Sequence, residues 1–209
     1  MVSGLADLPA TVNAVESRRG KGAPITDGFE TLETELLSFF DADGSTPVSS
    51  AARVIDRVPD SDLAVGSRRH PDGQVLGHQT ILRRLLGNGF AWTVRRLLDA
   101  NLYDYQCGAK AITAEAWTSV RGHLYEPGFA WDMELIAIAG ALGSRIVEVP
   151  IKWEDAPGST VTPVQTSPEM AQALLVARHR AKRLQGARVH RALGAVSDDP
   201  APIVDRTKG

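Results

Sequence analysis

Apolar and polar positions along the chain fall into short alternating runs separated by helical stripes, the pattern of an α/β domain. Thr11 to Glu16 alternates as a short strand, and Gly20-Lys21-Gly22 follows it as a turn. The spacing predicts a helix from Ala23 to Leu32, with Pro24 tolerated in its first turn. Glu35 to Phe40 is a compact apolar run that reads as a buried parallel strand emptying into the polar loop Asp41-Ala42-Asp43-Gly44-Ser45-Thr46-Pro47. Pro47 opens a helix through Val58, whose candidates for burial are Val48, Ala52, Val54, Ile55 and Val58. A further strand, Asp62 to Ser67, runs into the basic loop from Arg68 to Gly73.

The longest helical stripe extends from Gln79 to Leu98, with Leu82, Leu85, Leu86, Phe90, Val94, Leu97 and Leu98 at spacings of three and four. Residues 108–113 read as a strand and Ala114 to Val120 as a helix. Asp132 to Leu142 is an apolar helix stopped by Gly143. Arg145 to Trp153 alternates as a strand, and Pro150 assigns it to an edge or a bulge. A last helix is expected from Pro168 to Leu193, and Ser197 to Gly209 as a frayed tail.

Composition narrows the class. The chain has 209 residues, 43% hydrophobic and 23% charged, which fits one globular domain and excludes wholesale disorder. Lys and Arg total 23 against 25 Asp and Glu, a net charge of −2, so no nucleic-acid partner is expected. The single cysteine, Cys107, permits no intramolecular disulfide and fits a reducing compartment. No apolar run approaches the roughly 20 residues of a membrane span, and no leader-like core opens the chain. A soluble or peripheral protein is expected.

Asp41-Ala42-Asp43 is the sharpest chemical signal. It follows a hydrophobic strand, and ligands of open α/β sheets gather at the carboxyl ends of strands. Paired carboxylates suit a hard cation that bridges to phosphate, although Asp, Gly and Ser are also ordinary turn formers. A strand followed by Asp-x-Asp-Gly also opens the haloacid-dehalogenase-type phosphatases. Against that reading, 40 residues precede the motif and no Asp-Asp pair follows before Asp198-Asp199.

Further segments accumulate in order: Arg19-Gly20-Lys21-Gly22, Phe39-Phe40-Asp41-Ala42-Asp43-Gly44 and Gly66-Ser67-Arg68. Tyr105-Gln106-Cys107-Gly108-Ala109-Lys110 and Gly128-Phe129-Ala130-Trp131-Asp132-Met133-Glu134-Leu135 come next, then Val147 to Trp153 with Gly158-Ser159. The series resembles the family 2 glycosyltransferases that charge a polyprenyl phosphate, nearest the dolichyl-phosphate β-glucosyltransferases and then the dolichyl-phosphate mannose synthases. The resemblance spans about residues 17–185.

It implies a GT-A fold, a Rossmann-like nucleotide-sugar-binding sheet with flanking helices. The chain lacks the family's first two strand motifs, so the domain is expected to be N-terminally truncated and to begin near the third strand. The expected organisation is a partial glycosyltransferase domain over 1–166, a basic amphipathic helix over 167–193 and a flexible tail over 194–209. The implied reaction is inverting transfer of a hexose from UDP-hexose or GDP-hexose to dolichyl or other polyprenyl phosphate, assisted by Mg²⁺ or Mn²⁺. A catalytically inactive remnant that binds a lipid or a partner is the alternative.

By the same resemblance, Asp41 and Asp43 hold the metal and, with Lys21 and Gln106, the donor. The turn around Lys21 offers backbone N–H groups to phosphate, and Arg68 and Arg84 take the acceptor phosphate. Asp132 is the candidate base or acceptor contact, and Asp43 is grouped with it as catalytic. Gly108 is read as admitting backbone close to the sugar. Glu134, two residues beyond Asp132 and so on another helix face, is read as pairing with an arginine inside the fold. Thr160 stands where the family has a lysine after Gly-Ser. The six Lys and Arg between Arg178 and Arg191, with no acid among them, suggest an anionic membrane surface and a peripheral place on its cytoplasmic face.

Overall fold

The computed structural model describes residues 11, 19–76, 89, 91–154, 168–187 and 199–206. Their elements alternate as the apolar pattern predicts: α1 (Gly22–Glu30), β1 (Leu36–Phe40), α2 (Val48–Ile55), β2 (Leu63–Ser67), β3 (Gln74–Leu76), α3 (91–97), β4 (Ala109–Thr113), α4 (Ala114–Val120), α5 (Trp131–Ala141), β5 (Ile146–Pro150), β6 (Lys152–Glu154), α6 (Pro168–Leu184) and α7 (Ile203–Arg206). The expected strand at Thr11 to Glu16 lies outside the described residues apart from Thr11, as do residues 79–88 of the Gln79–Leu98 helix, Arg84 among them, and Phe90.

The main sheet has the order β1-β4-β2-β5. β4 runs antiparallel to both β1 and β2, whereas β2 and β5 are parallel. Among the described residues β1 is therefore a half-buried edge strand with an antiparallel neighbour, not the buried parallel strand its apolar run suggested. It still points the same way as β2 and β5, so Asp41 and Arg68 leave the sheet at one rim. Beyond Pro150, which closes the other edge strand, the chain crosses to a two-stranded parallel sheet of β3 and β6.

Helices cover both faces, a mixed α/β arrangement consistent with a Rossmann-like glycosyltransferase sheet. Leu37, Leu63, Val65 and Ile112 face α1, α4, α5 and α6. Ala64, Ala109, Ala111 and Val149 face α2 through Val54 and, just beyond it, Val58. Val48 and Ala52, expected inside, lie on the solvent side of α2, Val48 being 85% exposed. Thr113 caps α4 by accepting from the Ala116 N–H at 3.1 Å. Lys110 sits in register between Phe39 and Val65, which aims its side chain at the buried helix α5.

The C-terminal region departs furthest from expectation. α6 stops at Leu184, nine residues before the predicted end at Leu193, where Gly186 takes a φ of +81°. The Gly186 and Ala187 N–H groups then close on the Arg183 and Lys182 carbonyls. The Arg and Lys side chains described on this helix are paired with groups of the protein itself. Arg178 donates to the Leu97 carbonyl, Arg180 to Glu134 at 2.5 Å, Lys182 to Asp99 at 2.8 Å, and Arg183 to Asp199. The described part of the tail does not fray: α7 buries Ile203 and Val204, and the Ile203 N–H donates to the Leu124 carbonyl at 2.8 Å. No described helix is long and apolar enough to cross a membrane.

Candidate functional site

The loop after β1 is fastened at both ends. The Asp41 N–H donates to the Gly108 carbonyl at 2.8 Å, and the Glu154 N–H donates to the Ser45 carbonyl at 2.9 Å. Between them Gly44 turns with a φ of +76°, and Asp43 Oδ1 accepts from the Ser45 N–H at 2.9 Å. Asp43 is thus both an Asx-turn residue and an exposed carboxylate. The Asp41 carboxylate occupies the space a side chain at residue 108 would need. Glycine is required at 108 to admit Asp41, which corrects the expectation that it admits a sugar.

Behind Asp41 a line of alternating charges runs into the core. Lys21 Nζ lies 3.1 Å from Asp41 and 2.8 Å from Asp132, and Lys110 Nζ lies 2.6 Å from the other oxygen of Asp132. Side-chain exposure falls from 45% at Asp41 through 15% at Lys21 to 2% at Asp132 and 1% at Lys110. Lys110 also donates to the Cys107 carbonyl at 2.7 Å. Both ammonium groups lie over the Phe39 ring, at 5.3 and 5.7 Å from its centroid. Burial alone would lower the pKa of Lys21, but Asp132 and Asp41 outweigh it and hold the ammonium above its ordinary value.

This geometry corrects two expectations. The Gly22 and Ala23 N–H groups both donate to the Pro127 carbonyl, at 2.8 and 3.1 Å, so they are not open to a phosphate. Gly20, with a φ of +87°, lets that turn lie directly on Pro127 and Gly128. Asp132, expected as a base or acceptor contact, is enclosed, and its two oxygens are taken by the Lys21 and Lys110 ammonium groups, so it does not face the rim where a substrate would lie. Its role here is to position Lys21.

Arg68 leaves the end of β2 and makes a bidentate pair with Asp104, Nε at 2.7 Å and Nη2 at 3.1 Å. Its guanidinium lies 5.7 Å from the Trp153 ring. Burial would raise the pKa of Asp104, yet the Arg68 charge and hydrogen bonds hold its carboxyl well below the usual carboxylate range. Glu148 of β5 in turn accepts from the Tyr103 and Asp104 N–H groups at 2.8 Å. Asp104 and Glu148 were not singled out from the sequence. The available signal was a lone acid inside the apolar run Leu102-Tyr103-Asp104-Tyr105, which burial of that run would force to find a cation.

The structure brings Lys21, Asp41 and Asp132 into contact and sets Arg68 across the same rim. Gln106 is turned elsewhere: its amide meets Met170 Sδ of α6 at 3.6 Å, and its N–H serves Asp104. Glu134 pairs with Arg180, as expected, and also accepts from the Tyr125 and Glu126 N–H groups at 2.8 and 2.7 Å. Cys107 is packed, its thiol pushed up to about 12 chiefly by burial. Thr160 and Gly158-Ser159 lie outside the described residues.

Among the described residues no group of three or more His, Cys, Asp or Glu side chains could hold a metal by itself. The donor set nevertheless fits one kind of ion. Two partly exposed carboxylates on a tethered loop suit a hard divalent cation that completes its shell from phosphate oxygens and water.

No family model matches the chain. Among curated proteins it is 30% identical over 172 residues to a dolichyl-phosphate β-glucosyltransferase of Dictyostelium discoideum, covering 79% of this chain and 53% of the relative. The human dolichyl-phosphate β-glucosyltransferase is 30% identical over 169 residues, covering 78% and 52%. Glycosyltransferase AglD of Haloferax volcanii is 30% identical over 141 residues, covering 66% and 22%. The chain thus spans about half the length of the β-glucosyltransferases it matches.

Proposed function

We propose that this chain, which is similar over most of its length to dolichyl-phosphate β-glucosyltransferases, is a family 2 glycosyltransferase that takes part in moving a hexose from a nucleotide sugar to dolichyl or another polyprenyl phosphate. The observation that carries the reading is the convergence of Asp41, Lys21 and Arg68 at one sheet rim, the place where α/β sheets bind nucleotides.

In the proposed reaction an oxygen of the lipid phosphate forms a bond to the anomeric carbon. The bond from that carbon to the donor diphosphate breaks from the opposite side, and its electron pair leaves with the nucleoside diphosphate. The nucleophile is already anionic, with a second phosphate pKa of about 6 by analogy with phosphorylated side chains, so no general base is required. What the protein must do is hold two anions together. Arg68 is suited to phosphate through its planar fork, and Lys21 to the departing diphosphate. Asp41 and Asp43 would hold Mg²⁺ or Mn²⁺, which when bound supplies charge neutralisation to the leaving diphosphate.

The test is to incubate the protein with labelled UDP-glucose or GDP-mannose, dolichyl phosphate and Mn²⁺, and to count label extracted into organic solvent. Lipid-linked label that depends on Asp41 is expected; none from either donor overturns the proposal. A second reading, a catalytically silent lipid- or partner-binding relative, is favoured by one observation: Lys21 and Arg68 are both ion-paired to the protein's own carboxylates. It predicts no nucleotide-sugar binding at any Mn²⁺ concentration.

A further inference from the structure

Lys21 is shared by two carboxylates that are not equivalent. Asp132 is enclosed and would keep Lys110 if Lys21 moved. Lys110 itself is fixed, 1% exposed and bonded to the Cys107 carbonyl as well as to Asp132. Asp41 is nearly half exposed, and Lys21 is its ion-pair partner among the described residues. In sum the four groups carry two positive and two negative charges, so the line is neutral with Lys21 where it stands. A carboxylate beside an ammonium group is a poor ligand for a second cation, since like charges repel across a short distance. A diphosphate arriving beside the same ammonium would remove that repulsion.

Resting on the reading above, we propose that Lys21 is a built-in counterion that couples cation binding to nucleotide binding. In the free protein it neutralises Asp41. When a nucleoside diphosphate and a divalent cation arrive together, Lys21 releases Asp41 to the cation and turns to the diphosphate while Asp132 keeps hold of it. The lysine stem is suited to this, being a flexible four-carbon arm with a compact charge. Its backbone is not free to follow: Gly20 is packed against Pro127, and the Gly22 and Ala23 N–H groups are bonded to the Pro127 carbonyl. The movement is therefore a pivot of one side chain about its Asp132 contact. Cation and nucleotide then strengthen one another's binding by the same factor, as linkage requires.

The test is titration of Mn²⁺, followed by the paramagnetic resonance of the free ion, with and without UDP or GDP. It is run on the wild type, Lys21→Met, Lys21→Arg and Asp41→Asn, each checked for folding by circular dichroism. Lys21→Met is expected to bind Mn²⁺ without nucleotide on the order of tenfold more tightly than the wild type, the effect of removing one neighbouring unit charge. In the same variant the gain in Mn²⁺ affinity on adding nucleotide should shrink by on the order of tenfold or more, again one unit charge's effect. Lys21→Arg, which keeps the charge, should resemble the wild type. If Asp41→Asn abolishes nucleotide-dependent Mn²⁺ binding but Lys21→Met leaves both the nucleotide-free affinity and the gain unchanged, the counterion role is overturned and the donor-site reading stands. If the wild type binds no Mn²⁺ with either nucleotide, both are overturned.

Discussion

Replacing Gly108 by Ala separates the site from the fold. The backbone at 108 lies outside the left-handed region, so alanine fits it without strain, but a Cβ there would collide with the Asp41 carboxylate. Asp41 is 45% exposed and can swing into water. The stability lost is that of a half-exposed ion pair with Lys21, about 0–1 kcal/mol. Against it stands a gain of about 0.4–1 kcal/mol from restricting the unfolded chain. The net change should stay within about 1 kcal/mol, a Tm shift of roughly 2–4 °C or less for a chain of this size. Mn²⁺-dependent nucleotide-sugar binding, by contrast, should be lost, because the Asp41 carboxylate is driven from the place over Gly108 where it would hold the cation. Gly66→Ala is the control. Its Cβ would meet the Ala109 Cβ at 3.0 Å and the Cys107 sulfur at 3.4 Å inside the sheet, far less able to yield. It should cost about 1–3 kcal/mol through overpacking and leave binding in place. Calorimetry and thermal melts on the two variants decide the matter. Full nucleotide-sugar binding in Gly108→Ala would refute the placement of Asp41 on which the site depends.

Asp104→Asn should destabilise the protein by about 3 kcal/mol at neutral pH, since it removes the buried carboxylate that pairs the mostly covered Arg68. Because the Asp104 carboxyl is held below its ordinary value of about 3.9, its stabilisation is present above that pH and lost as pH falls through the folded-state value. Urea melts at pH 7, 5 and 3 should therefore show wild type and variant converging in acid; parallel curves would contradict the pairing. Lys110→Met should also cost about 3 kcal/mol by leaving Asp132 short of a partner, and combining it with Asp132→Leu should cost less than the sum of the two. Cys107 should resist a thiol reagent in the native protein and react as one equivalent in denaturant; rapid native labelling would contradict its packing.

Much of the fold was legible because burial imposes periodicity. The runs that became β2, β4, α4 and α5 stand within one or two residues of their predicted bounds. Strand direction was not legible: the Glu35–Phe40 run reads as a buried parallel strand, yet its neighbour β4 runs the other way, and among the described residues β1 stands at the edge. An apolar run records how much of a strand is covered, not which strand lies beside it. The Asp-x-Asp pair and the Lys21 turn could be found because they are compact in sequence. Their linkage through Asp132 and Lys110 could not, since it joins residues as far apart as 21 and 132 across a sheet face. Lys110 in the strand Ala109–Thr113 carries no mark of burial until its cross-strand partners Phe39 and Val65 are known. The partners of the basic run of α6 were not legible for a related reason: charge spacing alone cannot distinguish cations facing lipid from cations facing Glu134, Asp99 and Asp199, and Arg188 and Arg191 lie outside the described residues.

The central claim is that Asp41 and Asp43 form, with Lys21 and Arg68, a cation-dependent site for a sugar nucleotide. Isothermal calorimetry of UDP-glucose and GDP-mannose against the wild type and Asp41→Asn, each with Mn²⁺ and with a chelator, tests it most directly. One donor should bind the wild type in Mn²⁺, and its heat of binding should disappear when the ion is removed or Asp41 is changed. Binding of neither donor, or binding that persists in Asp41→Asn and in chelator, would contradict the account.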